Sequence, residues 1–209
     1  LAEVDTRAPF WVAGAMALAN GVFGLLVMPE SLPKDRRRPF SLKRANPLSS
    51  FQSVSALGGV RALLVVFFIY QVALFVYPAV WAFFGREQFD FSVREIGLTL
   101  FVFGISMGLS QAVLVGPVVK RFGPYKTAMF GMVLELAIFI AFAFIMQSWL
   151  VWFLVALSGL GSIVMPALQG IMSRAAGDDQ QGELQGVLGS IAALATIISP
   201  LVMTQTFAY

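Results

Sequence analysis

The chain has 209 residues, of which 58% are apolar and only 12% charged, with a formal net charge of +3. An ordinary globular domain carries about 25% charged residues, so a water-facing surface cannot be built here and most of the surface is expected to face lipid. The positive balance does not point to nucleic acid, because the basic residues lie in short gaps between apolar runs and form neither a periodic face nor an arm. Cys and His are both absent. That excludes thiol nucleophiles, disulfides, a Ser-His-Asp triad within the chain and the usual zinc sites, and no cofactor or metal is expected.

A helix needs roughly 20 apolar residues to cross a hydrocarbon core of about 30 Å. In chain order the apolar runs cover residues 8–29, 62–85, 96–119, 127–173 and 184–209. Within 127–173 the only charge is Glu135, and the polar pair Gln147-Ser148 divides the run into two spans. Six transmembrane helices of an all-α integral membrane protein are therefore predicted. The loop after the first span holds Lys34, Arg36, Arg37, Arg38, Lys43, Arg44 and Arg61; that after the third holds Lys120, Arg121 and Lys126; that after the fifth holds Arg174. The opposite face has only Arg7, Arg86 and Arg94. Lys and Arg accumulate in cytoplasmic loops, so the basic-rich face is cytoplasmic.

The first cytoplasmic gap, residues 30–61, is far longer than the others. Asn46-Pro47 is a helix start, because Asn caps and Pro is pre-set for the first turn. Leu48, Phe51, Val54 and Leu57 follow at steps of three, which predicts a short amphipathic helix on the membrane surface, the alternative being an ordinary polar linker. Gly104 and Gly108 form a GxxxG pair in the third span, a spacing that lets helices approach closely. Pro78, Pro166 and Pro200 lie inside spans and are expected to kink them.

Glu135 lies about 12 Å into the fourth span at 1.5 Å per residue, close to the midplane. An ionised acid there costs roughly 2.5–3.5 kcal/mol on insertion scales, so Glu135 is expected to face the bundle interior or a water-filled cavity. Gln71, Gln111 and Asn20 come out at the same level, roughly 12–14 Å deep. Interhelical hydrogen bonds are enough to explain the amides. An intramembrane acid is a functional candidate by default. Phe101 and Phe103 offer apolar contact to a substrate or to lipid.

Several stretches carry a resemblance. Met28-Pro29-Glu30-Ser31 closes the first span and Ala45-Asn46-Pro47-Leu48 opens the surface helix. Gly116-Pro117-Val118-Val119-Lys120-Arg121-Phe122-Gly123 forms the turn after the third span. Met165-Pro166-Ala167-Leu168-Gln169-Gly170 closes the fifth, and Gln180-Gln181-Gly182-Glu183-Leu184-Gln185-Gly186 opens the sixth. Together they resemble the tetracycline-resistance (Tet) family of drug/proton antiporters within the major facilitator superfamily, over nearly the whole chain. The resemblance implies a partial major facilitator fold in which the six spans are helices six to eleven. Residues 1–29 would be the last helix of the N-terminal half, 30–61 the cytoplasmic interdomain loop, and 62–209 five helices of the C-terminal half. The chain starts at Leu1 and stops at the end of an apolar run, so the other helices are expected to be missing.

The resemblance also implies roles. Glu135 stands at the family's helix-nine acid and would couple protons. Gln111 stands at the helix-eight Gln, and Met107 takes the place of the His one turn before it. These two, with Gln71 and Asn20, would line the substrate cavity. Gly116, Arg121 and Gly123 would belong to the cytoplasmic gating turn, in which Lys120 replaces an acid. The implied function is proton-coupled export of an amphipathic, drug-like compound from a bacterial inner membrane, with a small-molecule substrate, protons, the bilayer and the missing helices as partners and no nucleic acid. The alternatives are a major facilitator carrier for a sugar or metabolite, or a non-transporting membrane scaffold. An intramembrane enzyme needs at least two convergent reactive groups, which one Glu without His, Cys or Asp does not supply.

The topology is testable. Single cysteines introduced at Arg37 and Gln88 are expected to label from opposite faces of the membrane with an impermeant maleimide; labelling of both from outside overturns the orientation.

Overall fold

The computed structural model describes residues 7–27, 52, 55–56, 59–176 and 180–207. The predicted surface helix running from Asn46 through Leu48, Phe51, Val54 and Leu57, and the basic cluster at residues 34–44, lie outside the described residues. The chain divides into two compact units, Leu1–Pro39 and Phe40–Tyr209. In the first, helix α1 (Ala8–Val27) is uncharged and buries none of its side chains. Phe10, Trp11 and Leu25 are all more than 70% exposed.

Among the described residues the second unit contains eight α-helices: α2 (Val60–Leu74), α3 (Val76–Phe89), α4 (Val93–Leu109), α5 (Val115–Phe122), α6 (Pro124–Phe144), α7 (Ser148–Gly161), α8 (Val164–Ala175) and α9 (Gln181–Phe207). A π-helical turn, Ser110–Leu114, joins α4 to α5. Among the described residues there is no strand. Several helices run on into one another, so that the described residues make six membrane-length spans: Ala8–Val27, Val60–Phe89, Val93–Phe122, Pro124–Phe144, Ser148–Ala175 and Gln181–Thr206. They fall on the six spans predicted from the apolar runs of the sequence.

Proline explains where the spans break. A proline ring meets the carbonyl four residues back and supplies no N–H. Pro78 faces the carbonyl of Leu74, and α2 ends at Leu74. Pro166 faces that of Ser162, and α7 ends at Gly161, one residue before the turn at Ser162-Ile163. Pro117 faces that of Val113, inside the π-helical turn. Pro200 sits inside α9 without ending it. The α4 start is fixed by a capping box: the Glu95 backbone N–H donates to Ser92 Oγ, and the Ser92 backbone N–H donates to Glu95 Oε2 at 2.8 Å.

Packing falls into two apolar clusters. Val60, Leu64 and Phe67 of α2 meet Val164, Leu168 and Met172 of α8 and Leu184 of α9. Tyr77 and Trp81 of α3 meet Ile138 and Phe142 of α6 and Val151 and Val155 of α7. Buried and half-buried polar side chains tie the spans together at several points. Ser106 Oγ donates to the Ala156 carbonyl, Trp81 Nε1 donates to Thr99 Oγ1 at 2.9 Å, and Ser199 Oγ donates to the Val72 carbonyl at 2.8 Å.

The close approach of α4 and α7 does not use the predicted glycine pair. Gly104 and Gly108 are exposed, and a Cβ on either would meet nothing. The helices meet at Gly159 of α7, where a Cβ would overlap the Ser106 side chain and come within 2.7 Å of the Met107 backbone nitrogen. The GxxxG spacing sits on α4, but the residue that needs to be small sits on the helix facing it. Gly159→Leu is therefore expected to cost about 1–3 kcal/mol, as overpacking does, and to lower the melting temperature of the purified chain in detergent. Gly104→Leu is expected to stay within about 0.5 kcal/mol of the parent. Equal effects of the two substitutions would contradict this packing.

Candidate functional site

Helix α6 starts at Gly123, whose φ of 79° lies in the left-handed region that glycine tolerates. Pro124 occupies its first turn, and Thr127 Oγ1 bonds back to the Gly123 carbonyl at 2.8 Å. Three turns on, this helix carries Glu135 inward, with only 3% of its surface exposed. Ser158 Oγ of α7 lies 3.3 Å from Glu135 Oε1 and 3.4 Å from Oε2, and Tyr77 Oη of α3 lies 2.5 Å from the same Ser158 Oγ. Ser158 is itself wholly buried. Room for the carboxyl comes from Gly161, where a Cβ would sit 2.5 Å from Glu135 Oε1 and 2.7 Å from its Cγ.

The other side of Glu135 faces a cavity of about 300 Å3, whose walls include Phe103, Met107, Gln111, Ser162 and Gln169. Met107 and Gln111 of the sequence prediction thus share a cavity with Glu135. Gln71, half-buried on α2, is not in its wall; Leu74 holds that position on the same helix. Asn20 is exposed on α1, in the other unit. Phe103 lines the cavity, whereas Phe101 is exposed. Phe139 and Phe142 both pack on the Tyr77 ring, at centroid distances of 5.7 and 6.5 Å.

The predicted gating turn also forms a surface. Gly116 and Gly123 line a second cavity, of about 560 Å3, together with Lys120, Pro166 and Arg174. Arg121 is exposed and places its guanidinium 5.4 Å from the centre of the Phe122 ring. No cluster of acidic groups among the described residues is suited to a metal ion.

Sequence reasoning missed Tyr77, Ser158, Ser162 and Gln169. The serines had a readable signal: Ser158 and Ser162 lie four apart in an apolar run, hence on one helix face. Tyr77 had none, since its hydroxyl is tied to Ser158 across 81 residues of sequence.

Six spans and a buried carboxyl opening on a cavity define a multi-pass membrane protein with an intramembrane acidic site. The Major Facilitator Superfamily model matches residues 1–200, and the chain belongs to that superfamily of membrane transporters. It is similar to the tetracycline resistance protein, class C, of Escherichia coli, at 39% identity over all of this chain and 52% of that protein. It is also similar to the class E protein of Escherichia coli, at 39% over 96% of this chain and 49% of that protein. A human relative, hippocampus abundant transcript 1 protein, is 27% identical over 90% of this chain and 40% of its own length. The chain spans about half the length of the curated relatives it matches. The spans and the bacterial relatives make it a multi-pass protein of the bacterial inner membrane, where its surroundings are lipid.

The fit of Gly161 to Glu135 can be measured. Gly161→Ala is expected to destabilise the chain by about 1–3 kcal/mol, and Glu135→Ala in the same chain to relieve most of that cost. The double-mutant cycle in thermal unfolding should then give a coupling of about 0.5–3 kcal/mol. Additive effects would mean that the two residues do not share this space.

Proposed function

We propose that this chain forms part of a proton-coupled exporter of amphipathic, drug-like compounds that works by alternating access. Its spans would be helices six to eleven of a twelve-helix carrier, with residues 1–29 ending the N-terminal half, 30–61 linking the halves on the cytoplasmic side, and 62–209 supplying five helices of the C-terminal half. The observation that carries the reading is Glu135: a carboxyl 3% exposed, within a membrane-spanning helix, facing a cavity. A buried acid that touches a hydroxyl on one side and open space on the other is placed to take up and release a proton.

Met107, Gln111 and Gln169 give the cavity an apolar and amide lining beside that acid. The amides offer both donors and acceptors, and Phe103 and Met107 offer soft apolar contact, which suits a substrate with polar edges on an apolar frame. Gln71 and Asn20 stand as substrate contacts of a second rank, since neither lies in the wall of this cavity. The turn at Gly116, Arg121 and Gly123 would gate the cytoplasmic side. The names of the bacterial relatives make tetracycline the first compound to test.

The test uses the full-length transporter containing this chain, reconstituted in liposomes. Glu135→Gln is expected to keep tetracycline binding and to lower pH-gradient-driven uptake by about 100-fold or more, the scale on which a positioned acid–base group acts. Glu135→Asp is expected to retain part of the activity, its acid being one methylene shorter. Uptake by the Gln variant equal to that of the parent would reduce Glu135 to packing and remove the reading.

A further inference from the structure

Ser158 and Tyr77 have no part in the function as stated so far, yet they form the hydrogen-bonded chain that ends on Glu135. The donor arithmetic of that chain is restrictive. An ionised carboxylate only accepts, and a hydroxyl has one proton to give. With Glu135 ionised, Ser158 spends its proton on the carboxylate. Tyr77, 2.5 Å away, then has to donate to Ser158. When Glu135 takes up a proton it becomes a donor, and the direction can reverse: Glu135 donates to Ser158, Ser158 turns its own proton toward Tyr77, and the Tyr77 O–H turns out of the chain toward the cavity it lines, giving up its partner. All three groups are buried.

The Tyr77 ring is held in place from several sides. It stacks on Phe103 at 5.2 Å between centroids, lies 5.7 Å from Trp81 and 5.7 Å from Phe139, and meets Phe142 edge-on at 6.5 Å. Phe103 belongs to the wall of the Glu135 cavity. Tyr77 itself lines a separate apolar cavity of about 340 Å3, with Trp81, Phe84 and Met203. The chain of hydroxyls therefore runs from the wall of one cavity to the acid facing the other, across α3, α7 and α6. The titratable groups in electrostatic reach of Glu135 are Tyr77 of α3 and Tyr70 of α2. Among the described residues its side-chain hydrogen-bond partner is Ser158.

We propose that Ser158 and Tyr77 are the positioning pair of the Glu135 carboxyl: their hydroxyls hold it toward the cavity when it is ionised and reverse their hydrogen-bond direction when it is protonated, so that its charge state is tied to the contact between α3, α6 and α7. The proton enters from the cavity, and no covalent bond of Ser158 or Tyr77 other than a rotating O–H takes part. The inference rests on the reading of Glu135 as the proton carrier, and it adds the residues that couple that proton to helix packing.

In the full-length transporter, Ser158→Ala is expected to slow tetracycline uptake driven by a pH gradient about tenfold, the loss expected for one hydrogen bond to a charged group. Tyr77→Phe is expected to slow it less, since it acts through Ser158. Tetracycline counterflow without a gradient should persist in both, and Ser158→Thr, which keeps the hydroxyl, should recover driven uptake. Loss of counterflow in Ser158→Ala together with failure of Ser158→Thr to recover would mean a merely structural role. A substrate-free measurement stands beside these. The infrared carbonyl band of the protonated Glu135 carboxyl, assigned by its absence in Glu135→Gln, should shift in Ser158→Ala and return in Ser158→Thr; an unmoved band overturns the proposal. If Glu135→Gln is inactive while Ser158→Ala and Tyr77→Phe drive uptake like the parent, only the positioning pair falls. If Glu135→Gln itself drives uptake like the parent, the proton-carrier reading falls and this one with it.

Discussion

A carboxyl placed in the middle of an apolar helix has to be satisfied by the protein, because hydrocarbon offers it nothing. The cost of leaving it to lipid, roughly 2.5–3.5 kcal/mol on insertion scales, is a large fraction of a typical domain's net stability of about 5–15 kcal/mol. The environment of Glu135 meets this constraint at each of its sides. Gly161 leaves the volume the carboxyl occupies. Ser158 brings a donor to both oxygens. The turn at Ser162-Ile163 breaks the fifth span at that level, and Ser162 lies in the wall of the cavity the acid faces.

That break shows how local chemistry and site geometry are joined. An intact helix through residues 162–163 would keep its backbone groups to itself. Both residues keep right-handed helical angles, with ψ of −9° and −19°, so the span runs on through a loosened turn, and loosened backbone at membrane depth is tolerated where it is covered by protein or lines a cavity. Broken helices at binding sites are a recurrent device of transporters. Here Pro166 accounts for the interruption. The glycines do related work at the same level. Gly131 lets α6 lie against the start of α8, where a Cβ would run into Val164, and Gly159 lets α7 lie against α4. Small residues on α6 and α7 bring the helices near enough for hydroxyls to reach the acid.

Much of this was legible in the chain. Length and hydropathy located all six spans, since an apolar run of roughly 20 residues has few other uses. Glu135 was conspicuous as the one charge in a long apolar stretch, and its expected inward orientation is what the structure has. Met107 and Gln111 were placed beside it through the resemblance, and they share its cavity. Depth along a helix axis was readable from residue count, but direction around the axis was not. Gln71 matches Glu135 in estimated depth yet stays out of the cavity, while Leu74, three residues on, lines it. Gly104 and Gly108 had the spacing of a packing motif and face away from it. Tyr77 and Ser158 belong to spans that nothing local in the sequence brings together, so their contact existed only once the helices were packed.

The first turn of α8 has a further consequence. Pro166 stands in the wall of the Glu135 cavity and also in that of the cavity at the Gly116–Gly123 turn, where Lys120 and Arg174 lie. Val164 and Ala167, on either side of it, are buried in the cluster that joins α8 to α2 and α9. A close-packed turn of this kind moves as a unit, since interiors yield little without repacking. Any displacement of the start of α8 therefore reshapes both cavities at once, one holding the acid and one holding the basic loop. The residue that breaks the fifth span is thus also the residue through which the site of charge and the turn beyond it share a wall.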